Sequence, residues 1–439
     1  MAGRNGPPRR LRRSEHRSPD MQATPDPLAW LQDATSPRTL QWLADENART
    51  DHFLRQTEAL REQLYEEIHG RYQAADLSVP TPSGPWLYYF QKQLGQAFSN
   101  YYRCPLPADG SLNIDPLQQQ LLLAPDALAH QGQIAFGTVS ASPDHRYLAY
   151  SVLIGQQPGL YVQNLEVPQT PALRLPVEGF DGSLTWASDS QTLLCAQANA
   201  RHSHRLLRYR LGDAEASAVF EETDDRFDLS CTRSRSGQWL LLHSIGPGAS
   251  EVWVAAANDA QGQFSCLISR TQQRRARLDH GHWGNEPHWF CLSAQAGGPA
   301  QLMRMPSSPK STAPTWQVIA AAEPLQAIER MVPFASGLLV LMRDSGQLKL
   351  RIFRAHTLVT SVEFPDSLHS IALGALPDYE STGMLLTYES FTHPGKCAGS
   401  TWAMAPSAVA PSAVAPSTMA PSACSRLIRY RVISTAPGT

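Results

Sequence analysis

A short cassette, a turn followed by a strand, recurs along this chain and constrains its fold more than any other feature. The clearest copy is "SASPDHRYLAYS" at 140–151, in which a Ser-Pro-Asp turn precedes a strand rich in aromatic and aliphatic side chains. Similar stretches follow at intervals of 45, 47, 50, 49 and 46 residues, measured between the strand centres Leu148, Leu193, Leu240, Phe290, Leu339 and Leu385.

Each repeated unit contains several strands. The unit around the first cassette reads "GTVSAS", "RYLAYSVLI", "GLYVQNLEV" and "ALRLPVE", which predicts four short strands separated by turns. Four strands with a period of 45–50 residues are typical of a β-propeller blade. With an earlier unit centred on Leu87 there are seven units, so we predict an all-β, seven-bladed propeller. A pair of β-sandwiches is disfavoured because sandwiches do not keep a near-constant period across seven units.

The region before the repeats predicts helices. Ser36 can cap a helix whose first position is Pro37, and Gly70 is a candidate stop. Apolar residues three or four apart define one face of each predicted helix, namely Leu40 and Leu43, then Leu60, Leu64 and Ile68. A short α-helical segment is therefore expected to precede the propeller.

These patterns predict the domain organisation. Residues 1–24 read as a disordered basic tail, 25–75 as the helical segment and 76–439 as the propeller. Within the propeller, the Ala-Pro-Ser-rich stretch at 397–425 reads as a low-complexity insertion, and a strand is expected after it at 426–434.

Composition narrows the function classes. A formal net charge of −2 argues against a nucleic-acid partner, and no apolar run approaches the ~20 residues of a membrane-spanning helix. The basic N-terminus lacks the apolar segment of a secretory signal. Cysteines occur at 104, 195, 231, 266, 291, 397 and 424, without a Cys-x-x-Cys pair. Reduced thiols in a cytoplasmic protein are expected.

Several segments carry a further signal. They begin with "DPLAWLQD" and "TLQWLADENARTD" and continue with "WLYYFQKQLGQAFSNYYR" at 86–103 and the opening cassette. Further along are "RLLRYRLGDAEASAVFEETDDRFDLSCTRSRSGQWLLLHS" at 205–244, "SEVWV" at 250–254 and "YESFTHP" at 388–394. Together these segments resemble the prolyl oligopeptidase family, with the oligopeptidase B (protease II) branch as the more similar one. The resemblance covers nearly the whole chain from about residue 25.

The resemblance implies a function for the propeller. In that family a seven-bladed propeller covers a C-terminal α/β-hydrolase domain, admits only short peptides to a Ser-Asp-His triad and, in oligopeptidase B, serves cleavage after Arg or Lys. A hydrolase needs a Gly-x-Ser-x-Gly elbow, whereas "DGS" at 109–111 and 181–183 lacks the second glycine. We therefore expect the chain to lack the peptidase domain, to contain no catalytic residues and to be inactive alone.

Two groups of histidines are candidate metal ligands. His202 and His204 are two apart, and His280, His282 and His288 form the second group. Histidines at i and i+2 on a strand point the same way, but no third ligand is specified by spacing. We expect exposed histidines at blade edges, and no metal site or cofactor.

For the charged and aromatic segments, too, a binding role and a structural role are both open. The acidic run at 221–225 could attract short basic peptides, but a solvated turn is favoured, with Arg226 or the arginines at 205, 208 and 210 as ion-pair partners. The basic stretch 274–280 reads as a loop. Trp186, Trp239 and Trp289 are expected to pack between blades rather than to stack on a ligand.

The expected partner is a peptidase domain, in the same chain or assembled in trans from a separate polypeptide. The alternative is a free-standing propeller that binds proteins or peptides.

Overall fold

The computed structural model describes residues 26–401 except 72–75, 130–133, 155–156, 200–201, 260–261, 296–297, 308–314, 355–356, 363, 365, 375, 382 and 393–395. The chain divides into two compact units, residues 1–73 and 74–439. The predicted tail at 1–24, most of the predicted insertion and the strand expected at 426–434 lie outside the described residues. Residues 397–401 of the predicted insertion form part of a strand.

The first unit is helical, as predicted. A 3₁₀ turn (Ala29–Gln32) precedes helix α1 (Pro37–Leu54), and a second 3₁₀ turn (Arg55–Thr57) leads into α2 (Glu58–Arg71). The predicted cap is confirmed, because the Ser36 hydroxyl accepts a hydrogen bond from the Thr39 N–H at 3.2 Å. Gly70 does not end α2, which continues through it to Arg71.

The second unit consists of antiparallel sheets formed from consecutive strands. Sheet 1 contains β1 (Asp76–Leu77), β2 (Thr81–Ser83), β3 (Trp86–Lys92), β4 (Asn100–Pro105) and β5 (Gln120–Leu123), followed by a one-turn helix α3 (Asp126–Ala129). Sheet 2 contains β6 (Ile134–Ala141), β7 (Tyr147–Ile154), β8 (Gln157–Asn164) and β9 (Leu173–Arg174). Sheet 3 contains β10 (Phe180–Trp186), β11 (Thr192–Ala198), β12 (Ser203–Arg210) and β13 (Ser217–Glu221).

The remaining described strands continue this arrangement. Sheet 4 contains β14 (Asp228–Arg233), β15 (Trp239–Ile245), β16 (Ser250–Ala256) and β17 (Ser265–Ile268), with a 3₁₀ turn at Arg270–Gln272. Sheet 5 contains β18 (Arg274–Trp283), β19 (Glu286–Gln295), β20 (Gln301–Pro306) and β21 (Gln317–Ala321). Sheet 6 contains β22 (Gln326–Phe334), β23 (Gly337–Asp344), β24 (Gln347–Arg354) and β25 (Thr357–Val362), and sheet 7 contains β26 (His369–Leu373), β27 (Gly383–Ser390) and β28 (Lys396–Thr401).

The all-β propeller prediction is confirmed, and the described residues form seven sheets, one for each sequence unit. Sheet 7 has three described strands, so a closed ring of seven four-stranded blades stays a prediction. The strand centres that defined the repeat fall on corresponding strands, β3, β7, β11, β15, β19, β23 and β27. Their described side chains are at most 1% exposed, because these inner strands are covered on both faces.

The core lies between facing sheets. Leu160 of sheet 2 packs with Trp186 of sheet 3, and Leu241 of sheet 4 packs with Trp289 of sheet 5. Polar contacts reinforce the stacking: the Thr185 hydroxyl donates to the Cys231 carbonyl at 2.9 Å, linking sheets 3 and 4. Side chains from neighbouring sheets thus form a shared hydrophobic core between them, as expected for stacked blades.

Candidate functional site

The connections between the first and second strands of the sheets gather at one face of the propeller. The first strands run in the same direction around a propeller, so the ends of these strands meet at a common face. Most of these connections are short: 142–146 in sheet 2 and 284–285 in sheet 5 are examples. In sheet 7 the corresponding connection spans 374–382. We call its continuous described part, 376–381, the crossing segment.

The crossing segment contacts sheets on both sides of the central axis. The Asp378 carboxylate accepts hydrogen bonds from the Gly84 N–H at 2.6 Å and the Ser83 hydroxyl at 3.3 Å, both in sheet 1. The Pro377 carbonyl accepts a bond from Arg235 Nη2 at 2.6 Å, in sheet 4. Sheet 4 is not adjacent to sheet 7 in chain order, so the segment spans the middle of this face.

Tyr379 extends the crossing segment to sheets 5 and 6. The Tyr379 hydroxyl lies 2.9 Å from the His282 backbone nitrogen and 3.0 Å from His282 Nδ1, in sheet 5. The Tyr379 backbone carbonyl accepts a hydrogen bond from the Ala335 N–H at 3.0 Å, beside sheet 6. Gly281 allows this approach, because a Cβ there would lie 2.8 Å from Pro333 Cβ and 3.2 Å from the Tyr379 hydroxyl.

A cavity of about 180 Å³ lies beside the crossing segment. Its lining residues come from sheets 4, 5, 6 and 7, and they are Arg235, Arg277, Leu278, Asp279, Leu292, Arg330, Met331, Val332 and Leu376. We call it the central cavity. The side chains of three arginines and one aspartate therefore line the same space as five apolar side chains, and Arg277 and Arg330 are exposed to solvent.

Asp279 and Arg235 are the two half-buried charged residues of this cavity. Asp279 Oδ1 accepts the backbone N–H groups of Arg235 at 2.8 Å and His280 at 2.7 Å. Burial raises the pKa of Asp279 to about 6, against the lowering effect of these two bonds. Burial also lowers the pKa of Arg235, which the nearby carboxylates of Asp279 and Asp378 oppose.

The prediction of exposed histidines is wrong for His280 and His288. His280 is fully buried and His288 nearly so, because both lie on the β18–β19 hairpin inside the stack of sheets. His280 contacts the hydroxyls of Ser236 at Nδ1 and Ser307 at Nε2, at 2.8 and 2.9 Å. Burial lowers the pKa of His280 to about 4. Among the described residues no carboxylate contacts its ring, so these three side chains do not form a Ser-His-Asp triad.

The other histidines are not brought together as ligands. His202 lies 3.3 Å from Asp228 Oδ1, His204 is half-buried, and His282 contacts Tyr379. Within the described residues, no three His, Cys, Asp or Glu side chains cluster in a metal-binding arrangement.

The acidic run 221–225 is only partly the solvated turn predicted. Glu221 pairs with Arg205 at 2.9 Å and Asp224 with Arg226 at 2.7 Å, both at the surface. Glu222 is buried instead, because it pairs with Arg270 at 2.5 Å between sheets 3 and 4. The run is therefore divided among ion pairs and does not present one acidic patch.

Two further predictions concern the segment 274–280 and the tryptophans. The basic stretch is not a loop: it belongs to β18, the first strand of sheet 5. Trp186 and Trp289 are buried in the stack, and the Trp239 and Trp289 rings lie 5.0 Å apart, which agrees with a packing role.

The described cysteines are all free: Cys104, Cys195, Cys231, Cys266 and Cys291. Burial raises the pKa of Cys195, Cys231 and Cys291 to about 12, so these thiols are poor nucleophiles.

Sequence reasoning missed the crossing segment and the central cavity. The arginines of the cavity are far apart in the chain, at 235, 277 and 330, and nothing in their local patterns joins them. The signal that could indicate the crossing segment is the long connection between the first and second strands of the seventh unit. The repeat spacing does not show it, because that spacing is measured between the second strands.

A β-propeller of consecutive antiparallel sheets, preceded in the chain by a helical unit, is the class of protein that this fold defines. The family profile described as "Prolyl oligopeptidase, N-terminal beta-propeller domain" matches residues 8–398. The chain belongs to this family.

Individual relatives agree with this assignment. Protease 2 of Moraxella lacunata is 24% identical over 379 residues, covering 84% of this chain and 53% of the relative. Dipeptidyl aminopeptidase BI of Pseudoxanthomonas mexicana is 25% identical over 387 residues, covering 84% and 52%. The chain therefore spans about half the length of these curated relatives.

Solved structures show the same fold. Oligopeptidase B from Trypanosoma brucei, with covalently bound antipain in its closed form, has a TM-score of 0.73 at 20% identity, covering 86% of this chain and 54% of that one. Oligopeptidase B from Leishmania major has a TM-score of 0.74 at 18% identity, with the same coverage. Among the helices in the described part of the chain, none combines the length and the apolar character needed to cross a membrane.

Proposed function

We propose that this chain is the non-catalytic propeller portion of an oligopeptidase-B-like serine endopeptidase, in which it restricts entry to short peptides. The observation that carries the proposal is the crossing segment. We infer that it obstructs one end of a central channel of the propeller, because it contacts sheets 1, 4, 5 and 6 from sheet 7. A folded substrate would be excluded at that end.

Peptide hydrolysis after Arg or Lys would come from an α/β-hydrolase domain with a Ser-Asp-His triad, in the same chain or in a separate polypeptide. The residues of this chain support a non-catalytic role. The sequence contains no Gly-x-Ser-x-Gly elbow, and His280 is bonded to two serines without a carboxylate partner on its ring.

The helical unit supports docking onto another domain. On α2, three apolar side chains spaced four residues apart are exposed to 54%, 45% and 67%: Leu60, Leu64 and Ile68. An apolar face of this kind is usually covered by a partner surface. A peptidase domain is the partner that the family membership suggests.

Peptidase activity of the purified chain tests the non-catalytic role. We expect no hydrolysis of an Arg-containing fluorogenic dipeptide. Hydrolysis that persists through repeated purification would contradict the proposal. The nucleotide sequence following the codon for Thr439, read in three frames for a Gly-x-Ser-x-Gly elbow, distinguishes a domain in cis from a separate subunit.

A chimera tests the restriction of entry. Residues 1–439 would replace the propeller of Protease 2 from Moraxella lacunata, and cleavage of the dipeptide would be compared with cleavage of casein. Replacing 376–381 by Gly-Gly is expected to raise casein cleavage several-fold and to leave dipeptide cleavage unchanged. The matched control replaces 107–112, in the β4–β5 connection of sheet 1, by Gly-Gly. Equal casein cleavage in all three proteins would overturn the gating role.

A free-standing interaction propeller remains the alternative function. A chain that is a stable monomer and binds a peptide, but confers no size restriction in the chimera, would favour that alternative.

A further inference from the structure

The central cavity concentrates positive charge from three different sheets. Arg235 lies in the β14–β15 connection, Arg277 on β18 and Arg330 on β22, and all three line the same space. Like charges that line one space raise the local positive potential, which attracts anions.

The charge of the cavity is not balanced by the described residues. Asp279 is the one carboxylate among the lining residues, and its Oδ1 is occupied by two backbone N–H groups. The Arg235 side chain donates to two neutral carbonyls, those of Pro377 and Pro333. The side chains of Arg277 and Arg330 make no hydrogen bond or ion pair with any described residue. The three guanidinium groups therefore outnumber the carboxylates of Asp279 and the nearby Asp378 by one at neutral pH.

The walls and size of the cavity indicate what it can hold. Apolar side chains, among them Leu278, Val332 and Leu376, line the cavity beside the half-buried Arg235, whereas Arg277 and Arg330 are exposed to solvent. The half-buried Arg235 guanidinium therefore interacts more strongly with an anion than it would in water. A volume of about 180 Å³ accommodates one oxyanion group and a short stretch attached to it, but not a folded chain.

We propose that the central cavity is a binding site for a single oxyanion group, held by Arg277 and Arg330 with Arg235 behind them. Guanidinium groups bind carboxylates and phosphates through paired N–H donors, which fits this chemistry. The group can be the C-terminal carboxylate of a short peptide or inorganic phosphate. The site is independent of the proposed peptidase partnership, because all of its residues belong to this chain.

Calorimetric titration of the full chain tests the proposal. Three probes are compared: N-acetyl-trialanine with a free carboxylate, the same peptide as its C-terminal amide, and inorganic phosphate. The variant Arg277→Gln/Arg330→Gln removes the two unpaired guanidinium groups. The control Arg61→Gln/Arg275→Gln makes the same change in net charge at exposed positions outside the cavity. Thermal unfolding confirms that both variants fold.

We expect the carboxylate peptide to bind at least tenfold more tightly than its amide. The cavity variant should weaken binding at least tenfold, and the control variant should bind as the unmodified chain does. If phosphate binds and the peptides do not, with the same loss in the cavity variant, the site holds a free oxyanion. Absence of binding by every probe, or equal losses in the two variants, would overturn the proposal.

Discussion

At the scale of single residues, the most consequential finding is a buried ionic group that the sequence pattern concealed. Arg270 pairs with Glu222 at 2.5 Å and with Glu251 at 2.8 Å, and its guanidinium carbon lies 4.1 Å from the centre of the Phe227 ring. Burial would raise the pKa of Glu222, but bonds from Arg270 and Ser244 outweigh it and lower that pKa. These residues join sheets 3 and 4. Their buried charges balance one another only while Arg270 and both carboxylates are present.

Replacing Arg270 by Met therefore has a large expected effect. Two carboxylates would remain in a largely buried position without their cation, so the free energy of unfolding should fall by about 3 kcal/mol. The matched control is Arg226→Met, because Arg226 pairs with Asp224 at the surface, where solvent screens the pair and its loss should change stability little. Urea denaturation measures both. Similar losses in the two variants would show that burial does not distinguish these pairs.

At the scale of elements, the repeated cassette is a turn stabilised by its own side chains. The Ser142 hydroxyl accepts the Tyr147 N–H at 3.0 Å, and the Ser234 hydroxyl accepts the Trp239 N–H at 3.1 Å. The fourth position of these turns has a positive φ, 60° at His145 and 73° at Gly237. The recurrence visible in the sequence is thus a recurrence of backbone geometry between the first two strands.

The corresponding turn of sheet 1 provides a test of this packing. Gly84 has φ +53°, and a Cβ there would collide with the ring of His145, which is held by the Tyr88 hydroxyl at 2.9 Å. Gly110 has φ +68° but no neighbour within 4 Å of a Cβ.

Gly110→Ala should cost about 1 kcal/mol for the backbone conformation alone. Gly84→Ala should cost about 1–3 kcal/mol more, because the collision adds to it. Denaturant unfolding gives the difference, and equal costs would indicate that the His145 ring moves aside freely.

The elements that could be predicted from the sequence are those with a periodic or capped pattern. The strand centres and the Ser36 cap are local signals, and the structure places them as predicted. The central cavity and the burial of Glu222 could not be predicted, because they depend on which sheets face each other. The segment 274–280 is expected to be a loop because basic residues usually mark exposed segments, whereas it lies on β18, the first strand of sheet 5.

At the scale of the whole molecule, buried titratable groups make stability depend on pH. Burial lowers the pKa of His243 to about 4, from an ordinary value of 6.5. Between these values the unfolded chain binds more protons than the folded one, so stability rises with pH across this window and is lost on acidification. His280 acts in the same direction, and Asp279, with its pKa raised to about 6, acts in the opposite direction.

His243→Gln should flatten this profile. Removing one buried histidine should reduce the slope of unfolding free energy against pH by up to about 1.4 kcal/mol per pH unit between pH 4.5 and 6. Chemical denaturation at a series of pH values measures the slope. Parallel profiles for the variant and the unmodified chain would show that His243 is not the group that binds the proton.

The bond between Asp378 and Gly84 has a consequence for biosynthesis. It joins positions 294 residues apart, in the last and first sheets. At ribosomal rates of ~5–20 residues per second, sheet 1 would leave the ribosome roughly 15–60 s before Asp378 is made. During that interval the turn at Gly84 lacks its acceptor, and sheet 1 lacks its contact with the crossing segment. The nascent chain therefore passes through a stage in which its first sheet is open to association with chaperones or with other chains.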